Sequence, residues 1–400
     1  MLPAVRAAPL KPQVKLLALA ALLNDTASEL IYPLLPVFLL NTLGAKPAVI
    51  GLIEGAADGL ASILKYYSGA LSDKSQRRKP WVVGGYGLAA ASRALIAVAT
   101  MWPLVLVARL TDRTGKGARS APRDAMISDV TPPEQRGRAF GFHRALDHTG
   151  AILGPLLAMV LLQFLTLRQT FMASVIPGAI GVVMLAVLLR ETNDERGRMN
   201  EERKPSPGSS FIPHRSSFYR AIAAISLFSL ANSSDAFLLL QAHEAGVATS
   251  MLPMLWAAHH VIKSLFSTRA GALSDRVDRR WLLVSGWASY AVIYALFPFA
   301  HTLTSFVILF VLYAIPGTLS EGAERAWIAD LVPAEARGKS FGVYYLANGL
   351  CVLAGTALFG LLYKPEAPRA AFFTGAALAL CAVIAVVAGM RRTAAPQTAR

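Results

Sequence analysis

Charged residues are scarce in this chain of 400 residues: 16% are Asp, Glu, Lys or Arg, whereas 54% are hydrophobic. A soluble globular protein carries roughly a quarter charged residues, so the composition excludes that class and a disordered chain. Cysteine is nearly lacking too, because Cys351 and Cys381 are the two present, which excludes a disulfide scaffold. The sequence has no Walker loop, HExxH or GxSxG motif. We therefore expect no enzyme, no cofactor and no metal.

Long apolar stretches are what the sequence does contain. A bilayer core needs about 20 apolar residues per helix. Stretches of this kind predict twelve transmembrane helices, at approximately residues 14–42, 47–71, 81–100, 103–128, 135–164, 170–190, 218–242, 250–273, 281–300, 303–329, 336–363 and 369–390.

The basic residues lie mainly in the tails and in one set of loops. The opposite loops contain Lys46, Arg168, Lys364 and Arg369. Because Lys and Arg mark the cytoplasmic side, we expect both termini in the cytoplasm and the chain in the plasma membrane, the inner membrane of a bacterium. The net charge of +15 is then mostly cytoplasmic surface, so we expect membrane lipids rather than nucleic acid as partners.

Two motifs occur twice at almost the same spacing. Residues 69–73 (GALSD) recur at 271–275 with an offset of 202, and the pattern of residues 129–141 recurs at 330–342 with an offset of 201. A repeat unit of six helices gives both halves one orientation, as in transporters built from parallel repeats.

The repeat predicts the domain organisation. We expect an all-α membrane protein whose twelve transmembrane helices form two pseudo-symmetric parallel six-helix bundles. Residues 1–190 are predicted to form the first bundle and residues 218–400 the second. Residues 191–217, with three prolines, are predicted to form a flexible cytoplasmic linker.

The turn at residues 69–79 resembles the signature of the major facilitator superfamily of secondary transporters, a Gly-x-Leu-x-Asp turn followed by basic residues. Gln76 and Asp278 stand where the family usually has glycine. Residues 150–155 are similar to the start of a motif found in the family's exporters, although the later glycines are absent. The resemblance implies the fold of that family and a leaning towards efflux.

The resemblance also implies contacts between the halves. Asp73 should meet the helix start near Arg337 and Gly338, and Asp275 the helix start near Arg136 and Gly137, where a carboxylate complements exposed N–H groups. Arg78 and Arg280 should pair with Asp129 and Asp330. The alternative is a solvated loop that sets topology alone. The predicted gate residues are Asp73, Arg77, Arg78, Arg123, Asp124, Asp129, Arg144, Asp147, Asp275, Arg280, Glu324, Arg325 and Asp330.

The fourth predicted helix carries a charged stripe, since its ionisable residues fall within a sector of roughly 140° at helical spacing. Asp25, Glu29 and Tyr32 share a face of the first helix. Ionisable groups in a membrane usually face a bundle interior. The predicted proton-coupling residues are Asp25, Glu29, Arg109 and Asp112, and the predicted substrate-binding residues are Tyr32, Arg113, Lys116, Arg119, Asn232, Asp235 and Glu321. Alternatively, these charges pair with one another and fix helix packing.

These predictions lead to a proton-coupled secondary active transporter of a small organic solute, working by alternating access as a monomer, with efflux by antiport favoured. Uptake of an anionic chelate or carboxylate is the alternative, motivated by the positive stripe. A channel or a membrane enzyme is the remote alternative.

Overall fold

The computed structural model describes residues 9–35, 38–45, 47–191, 215–232, 237–238, 241–242, 252–364 and 367–394, and these residues contain helices and turns without a strand. The helices are α1 (Pro12–Ile31), α2 (Pro47–Ser75), α3 (Lys79–Val98), α4 (Trp102–Asp129), α5 (Arg136–Leu161), α6 (Leu167–Ala173), α7 (Val175–Leu188), α8 (Arg215–Ala231), α9 (Leu252–Ser274), α10 (Arg279–Leu296), α11 (Leu303–Leu312), α12 (Ala314–Asp330), α13 (Arg337–Leu362) and α14 (Arg369–Ala394).

The first predicted helix, residues 14–42, is shorter in the structure. Helix α1 ends at Ile31, and a 3-10 turn at Tyr32–Leu34 and a π-helical turn at Phe38–Thr42 follow it. Pro33 lies in the first of these turns, and a proline has no N–H for the helical ladder. Most of the predicted linker, residues 192–214, lies outside the described residues, so the domain boundaries stay a prediction.

Two predicted spans are each divided into two helices. Helix α6 ends at Ala173, four residues before Pro177, and α11 ends at Leu312, four residues before Pro316. Because a proline cannot donate to the carbonyl four residues earlier, each ladder stops at that residue. The chain resumes as a helix at once, so each pair still crosses as one span.

Six helical segments of the described chain are long and apolar enough to cross a membrane. They are Lys79–Val98, Leu167–Leu188, Arg279–Phe299, Leu303–Asp330, Ala334–Leu362 and Arg369–Met390. Helix α4 is not among them, because it carries the charged stripe. Its charged side chains therefore need partners or a wet cavity within the bundle.

The helices pack as two bundles joined along two seams. In the first half, α1 packs against α5 and α7, and α4 packs against α2 and α3. In the second half, α10 packs against α12 and α14, and α8 packs against α13 and α14. The seams are α2 with α13 and α5 with α9. Since α9 repeats α2 and α13 repeats α5, the seams are equivalent, and the predicted all-α architecture of two six-helix bundles is confirmed.

Candidate functional site

The first contact between the halves, here called the first latch, joins the end of α2 to the start of α13. Asp73 accepts hydrogen bonds from the backbone N–H of Gly338 (3.0 Å, Oδ1) and of Lys339 (2.7 Å, Oδ2). Arg78 contacts Asp73 at 3.0 Å and Asp129 at 3.1 Å. The contact that the sequence predicted for Asp73 is therefore confirmed, as is the Arg78–Asp129 pair.

The second latch joins the end of α9 to the start of α5 in the same way. Asp275 accepts hydrogen bonds from the backbone N–H of Gly137 (2.7 Å, Oδ1) and of Arg138 (2.8 Å, Oδ2). Both latches lie at one end of the bundle, here called the latch end. A carboxylate at a helix start satisfies unpaired N–H groups and meets the positive end of the helix dipole.

Two more ion pairs cross between the halves behind the latches. Asp129 accepts from Arg337 Nη1 at 2.7 Å, and Asp330 accepts from Arg136 Nη1 at 2.6 Å. Asp129 is fully buried, whereas the Asp330 side chain is 30% exposed. The first latch is therefore backed by the more deeply buried pair.

The prediction for Arg280 is wrong, because Arg279 pairs with Asp330 at 2.7 Å and with Asp275 at 2.9 Å. Arg280 instead pairs with Asp278 at 2.5 Å. The arginine of the second latch, Arg279, follows its latch aspartate by four residues, whereas Arg78 follows Asp73 by five. Asp278 also caps α10 by accepting from the Arg280 N–H.

Arg77 does not share the buried position of Arg78. It is exposed in the turn after α2, where its backbone N–H donates to Ser75 Oγ at 3.4 Å. The structure thus brings the other predicted first-latch residues together and leaves Arg77 at the surface.

Burial raises the pKa of both latch carboxyl groups above the ordinary aspartate value. For Asp73 the hydrogen bonds and the Arg78 guanidinium oppose this effect without cancelling it. For Asp275 the N–H groups of α5 and the Arg279 guanidinium oppose it. The latched arrangement therefore binds a proton more readily than an exposed aspartate does.

A layer of buried charge above the latches also crosses between the halves. Asp124 of α4 pairs with Arg123 at 3.0 Å and with Arg325 of α12 at 3.4 Å, and Tyr345 of α13 donates its hydroxyl to Asp124. Glu324 accepts hydrogen bonds from Tyr344 at 3.1 Å and from Trp287 at 3.4 Å. The predicted gate residues of this layer thus have partners, and Asp124 has them in both halves.

A second cluster of charge lies where α5 meets α9 and α12. Arg144 pairs with Asp147 at 2.6 Å and with Glu321 of the other half at 3.4 Å. Lys263 holds the second oxygen of Glu321 at 2.9 Å. Glu321, which the sequence predicted as a substrate-binding residue, is therefore part of a contact between halves.

The first half of the bundle contains most of the remaining predicted site residues. Asp112 pairs with Arg109 and Arg113, each at 3.6 Å. The carboxylate of Glu29 is half-buried, and Lys116, Arg113 and Arg109 are the cations that act on it. The structure therefore brings α1 and α4 together as a group of carboxylates and bases, as predicted.

Three other predicted residues have different surroundings. Asp25 accepts from Asn24 at 2.9 Å, and its carboxyl group faces Asp147 of α5. Arg119 turns towards α3, where it stacks on Tyr86 at 4.6 Å and donates to a backbone carbonyl. The ring of Tyr32 lies under the Arg109 guanidinium at 5.6 Å.

The second half supplies less to this group of residues. Asn232 accepts a hydrogen bond from Tyr313 at 3.4 Å. Asp235, also predicted to bind substrate, lies outside the described residues. The described core of this half is aromatic, with Phe228 stacked on Trp287 at 4.8 Å and Tyr290 stacked on Tyr294 at 4.4 Å.

Sequence reasoning missed two polar connections. Arg93 of α3 is buried and donates to Asn24 and Ser28 of α1, at 2.8 Å to each side chain. His148 of α5 contacts His260 of α9 at 3.1 Å. An arginine in the middle of an apolar helix was a signal for the first, whereas no spacing in the chain relates the two histidines.

The arrangement combines a closed end with titratable groups along the spans. Both latches join the halves at the latch end, and carboxylates with adjacent bases lie further along the same seams and in α1 and α4. Such groups can exchange protons and bind charged groups of a solute, and the latches can open without breaking a bundle.

Comparisons with known proteins agree with this geometry. The profile of the family described as Major Facilitator Superfamily matches residues 17–260 and 242–400. An uncharacterized MFS-type transporter of Methanocaldococcus jannaschii is 30% identical over 379 residues, which are 93% of each chain. The multidrug resistance protein MdtH of Photorhabdus laumondii is 31% identical over 134 residues, which are 34% of this chain and 33% of that protein.

A solved structure shows the same fold. The human organic anion transporter MFSD10 (TETRAN) has a TM-score of 0.77 and 19% identity, and the match covers 95% of this chain and 100% of that chain. Together with the family profile over nearly the whole sequence, this gives one conclusion: the chain belongs to the Major Facilitator Superfamily of membrane transporters.

Proposed function

We propose that this transporter moves a small organic solute by alternating access, driven by protons, and that it works in the direction of efflux. The observation that carries the proposal is the pair of equivalent latches at one end of the bundle. Each latch consists of hydrogen bonds between the two halves, so both can break together when the halves rock apart. A channel needs no such reciprocal contact.

The proposed membrane orientation follows from the basic loops. The latch end is proposed to face the cytoplasm, because Lys74, Arg77, Arg276 and Arg280 are close to it and positive residues mark that side. The structure then corresponds to the state closed towards the cytoplasm. We propose a monomer in the plasma membrane with both termini cytoplasmic.

Asp25 and Glu29 are the proposed proton carriers. Both are on α1, and each faces a partner on another helix: Asp147 for Asp25, and the bases of α4 for Glu29. When Glu29 takes up a proton, it no longer neutralises those bases, so Arg113 and Lys116 can attract an anionic group, a coupling in one direction that suits the uptake alternative. A cationic group of a solute would instead compete with the proton for the Glu29 carboxylate, which is the relation that efflux by exchange requires. In either case, proton binding and solute binding depend on the same residues of α1 and α4.

Efflux is supported by the similarity to a multidrug resistance protein over a third of the chain. The second candidate, uptake of an anionic chelate or carboxylate, is favoured by a separate observation. Arg109, Arg113 and Lys116 gather around one carboxylate, Glu29, which suits a solute with a negative group. The two candidates differ in the direction of solute movement relative to the protons, which is opposite for efflux and the same for uptake.

The test uses cells that express the full chain and a panel of fluorescent cationic dyes and fluorescent carboxylates. An uncoupler should raise retention of a transported compound if the protein exports it, and lower retention if the protein imports it. A retention that the uncoupler leaves unchanged for every transported compound contradicts proton coupling.

A variant tests the proposed carriers. Asp25→Asn with Glu29→Gln should abolish proton-driven transport in proteoliposomes but keep counterflow exchange, because exchange needs no net proton movement. Asp278→Asn is the matched control, since it removes a carboxylate from an exposed turn. Uphill transport by the double variant at the rate of the control would dismiss these two carboxylates as carriers.

A further inference from the structure

A pair of histidines connects the two halves on the α5–α9 seam. His148 Nδ1 and His260 Nδ1 are 3.1 Å apart, and the ring centroids are 5.1 Å apart. The next contact along the same helices is a hydrogen bond of 2.7 Å between the hydroxyls of Thr149 and Ser264. The two rings therefore meet within a closely packed helix contact.

We propose that His148 and His260 together form a proton-binding site, in which one proton is shared between the two halves of the transporter. The site is separate from Asp25 and Glu29. It rests on the proposed alternating access for its effect on conformation, whereas its proton binding does not depend on transport.

The distance between the two Nδ1 atoms dictates how many protons the pair can hold. One ring must donate and the other must accept, so one proton lies between the Nδ1 atoms. Two neutral imidazoles hold two protons, and the second proton is then on one of the two Nε2 atoms. The remaining Nε2 atom can accept a third proton from water, which makes the pair a cation and keeps the hydrogen bond between the rings.

Of the charged groups that face the pair, the Glu321 carboxylate favours this third proton, whereas the two bases oppose it. His148 Nε2 is 3.5 Å from Glu321 Oε2, and the other charged groups acting on the two rings are Arg144 of α5 and Lys263 of α9. Arg144 also pairs with Asp147. The acids Asp147 and Glu321 balance the bases Arg144 and Lys263, so the cluster is neutral before the pair gains its positive charge. A proton added at His148 Nε2 lies next to the Glu321 carboxylate.

The neighbouring histidines differ in their distance from the pair. The His259 ring stacks on Tyr313 at 5.4 Å and on Trp256 at 5.8 Å, and it also lies 5.6 Å from the His260 ring. On α5, the nearest contact of His143 to an acid is Asp147, at 3.9 Å. From α1, which also packs on α5, Asp25 faces Asp147 as well. His143 is therefore a control that lies on the same helix as His148 and outside the pair.

The other seam has no such pair. The offset of 201 places Gly349 at the position equivalent to His148, and a side chain there would collide with the hydroxyl of Ser62. The two seams have equivalent backbone packing although the α2–α13 seam has no imidazole pair. The pair is therefore not needed to pack the helices.

Proton binding at the pair should favour the latched state. A hydrogen bond with a charged partner is roughly twice as strong as one between neutral groups, and this bond exists while α5 and α9 are in contact. A ligand shifts a conformational equilibrium towards the state that binds it better. Acid should therefore increase the population in which the halves meet along this seam.

The test measures the titration of His260 in the full chain, labelled with ¹⁵N-histidine and reconstituted in lipid nanodiscs. His148→Phe removes one of the two Nδ1 atoms that share the proton, and we expect the midpoint of His260 to fall by about one pH unit, a tenfold loss of proton affinity. His148→Asn places an oxygen acceptor near the same point and should restore part of the shift. His143→Phe, which removes a buried histidine that faces Asp147, should leave the midpoint of His260 unchanged.

A second measurement covers variants that fold poorly. His260→Asn should alter the titration of His148 by the same coupling. Spin labels at Ser75→Cys and Arg276→Cys, on the opposite halves at the latch end, should show more of the short distance at pH 5.5 than at pH 8, and His148→Asn with His260→Asn should weaken this response. Identical titration of His260 with and without His148, or an unchanged response of the double variant, would overturn the proposal.

The outcome separates this site from the proposed transport function. If the histidines titrate together but an uncoupler leaves solute retention unchanged, the site stands and proton-driven transport fails. If Asp25 and Glu29 are needed for uphill transport but the histidines titrate independently, the transport proposal stands and this inference fails.

Discussion

The close approach at the first latch makes a quantitative prediction about Gly338. A Cβ atom at this position would lie 2.6 Å from the Gly69 carbonyl oxygen and 2.6 Å from Asp73 Oδ1. The carbonyl belongs to the opposite half and cannot rotate away as a flexible side chain can. Gly338→Ala must therefore push α13 from α2 wherever the latch is closed, and it costs nothing comparable once the latch is open.

The magnitude follows from overpacking, which costs about 1–3 kcal/mol in a well-packed contact. In a two-state equilibrium, a cost of this size lowers the ratio of latched to open molecules by roughly 5- to 150-fold. Gly84→Ala is the matched control, since a Cβ there has no neighbour within 4 Å. Both changes add one methyl group to a helix.

The assay is the distance distribution between spin labels at Ser75→Cys and Arg276→Cys, in a chain whose two native cysteines are replaced by alanine. Both labelled positions are exposed and flank the two latches. Gly338→Ala should move the population towards longer distances, and Gly84→Ala should match the parent. A distribution that Gly338→Ala leaves unchanged would refute the reasoning that the latch depends on backbone contact at this glycine.

Three further predictions concern the charged residues of the latch end. Arg279→Gln should open the second latch in the same distance measurement, whereas Arg280→Gln should not, and the reverse result would restore the assignment from the repeat alone. Asp129→Asn should lower the melting temperature more than Asp330→Asn, because breaking a fully buried pair costs about 3–5 kcal/mol and Asp330 is partly exposed. Burial raises the pKa of both latch carboxyl groups, so they bind protons more tightly in the latched state than in the open state. In a variant without the histidine pair, acidification from pH 8 to pH 5 should therefore not open the latches. Opening on acidification would contradict the raised pKa values.

Much of the latch end could be predicted from the sequence, because it depends on repeated local motifs. Asp73 and Asp275 follow the same pattern at an offset of 202, and the helix starts at Gly137 and Gly338 follow theirs at 201. The change of offset from 202 to 201 indicates that Arg279, and not Arg280, is the partner of Asp330. One residue is missing between the two motifs of the second half, so the partner of Asp330 is one position earlier than the repeat suggests.

The contacts in the middle of the bundle could not be predicted in the same way. His148 and His260 are separated by 112 positions, and their contact depends on how α5 rotates against α9. Arg119 belongs to the predicted charged stripe of α4, but its side chain contacts Tyr86 of α3. A stripe of charge does not indicate which of its side chains turn towards α1 and which towards α3. Breaks at Ala173 and Leu312 were readable from proline spacing, although hydropathy alone joined each pair of helices.

The reciprocity of the two latches has a consequence for how the halves can assemble. Each half contributes one aspartate-bearing turn and one helix start, and receives the complementary part from its counterpart. Such an interface is isologous, as in a twofold-symmetric homodimer. An ancestor of half the length could therefore have closed the same ring of contacts with an identical copy, and the covalent connection between the halves adds proximity without adding a new type of recognition.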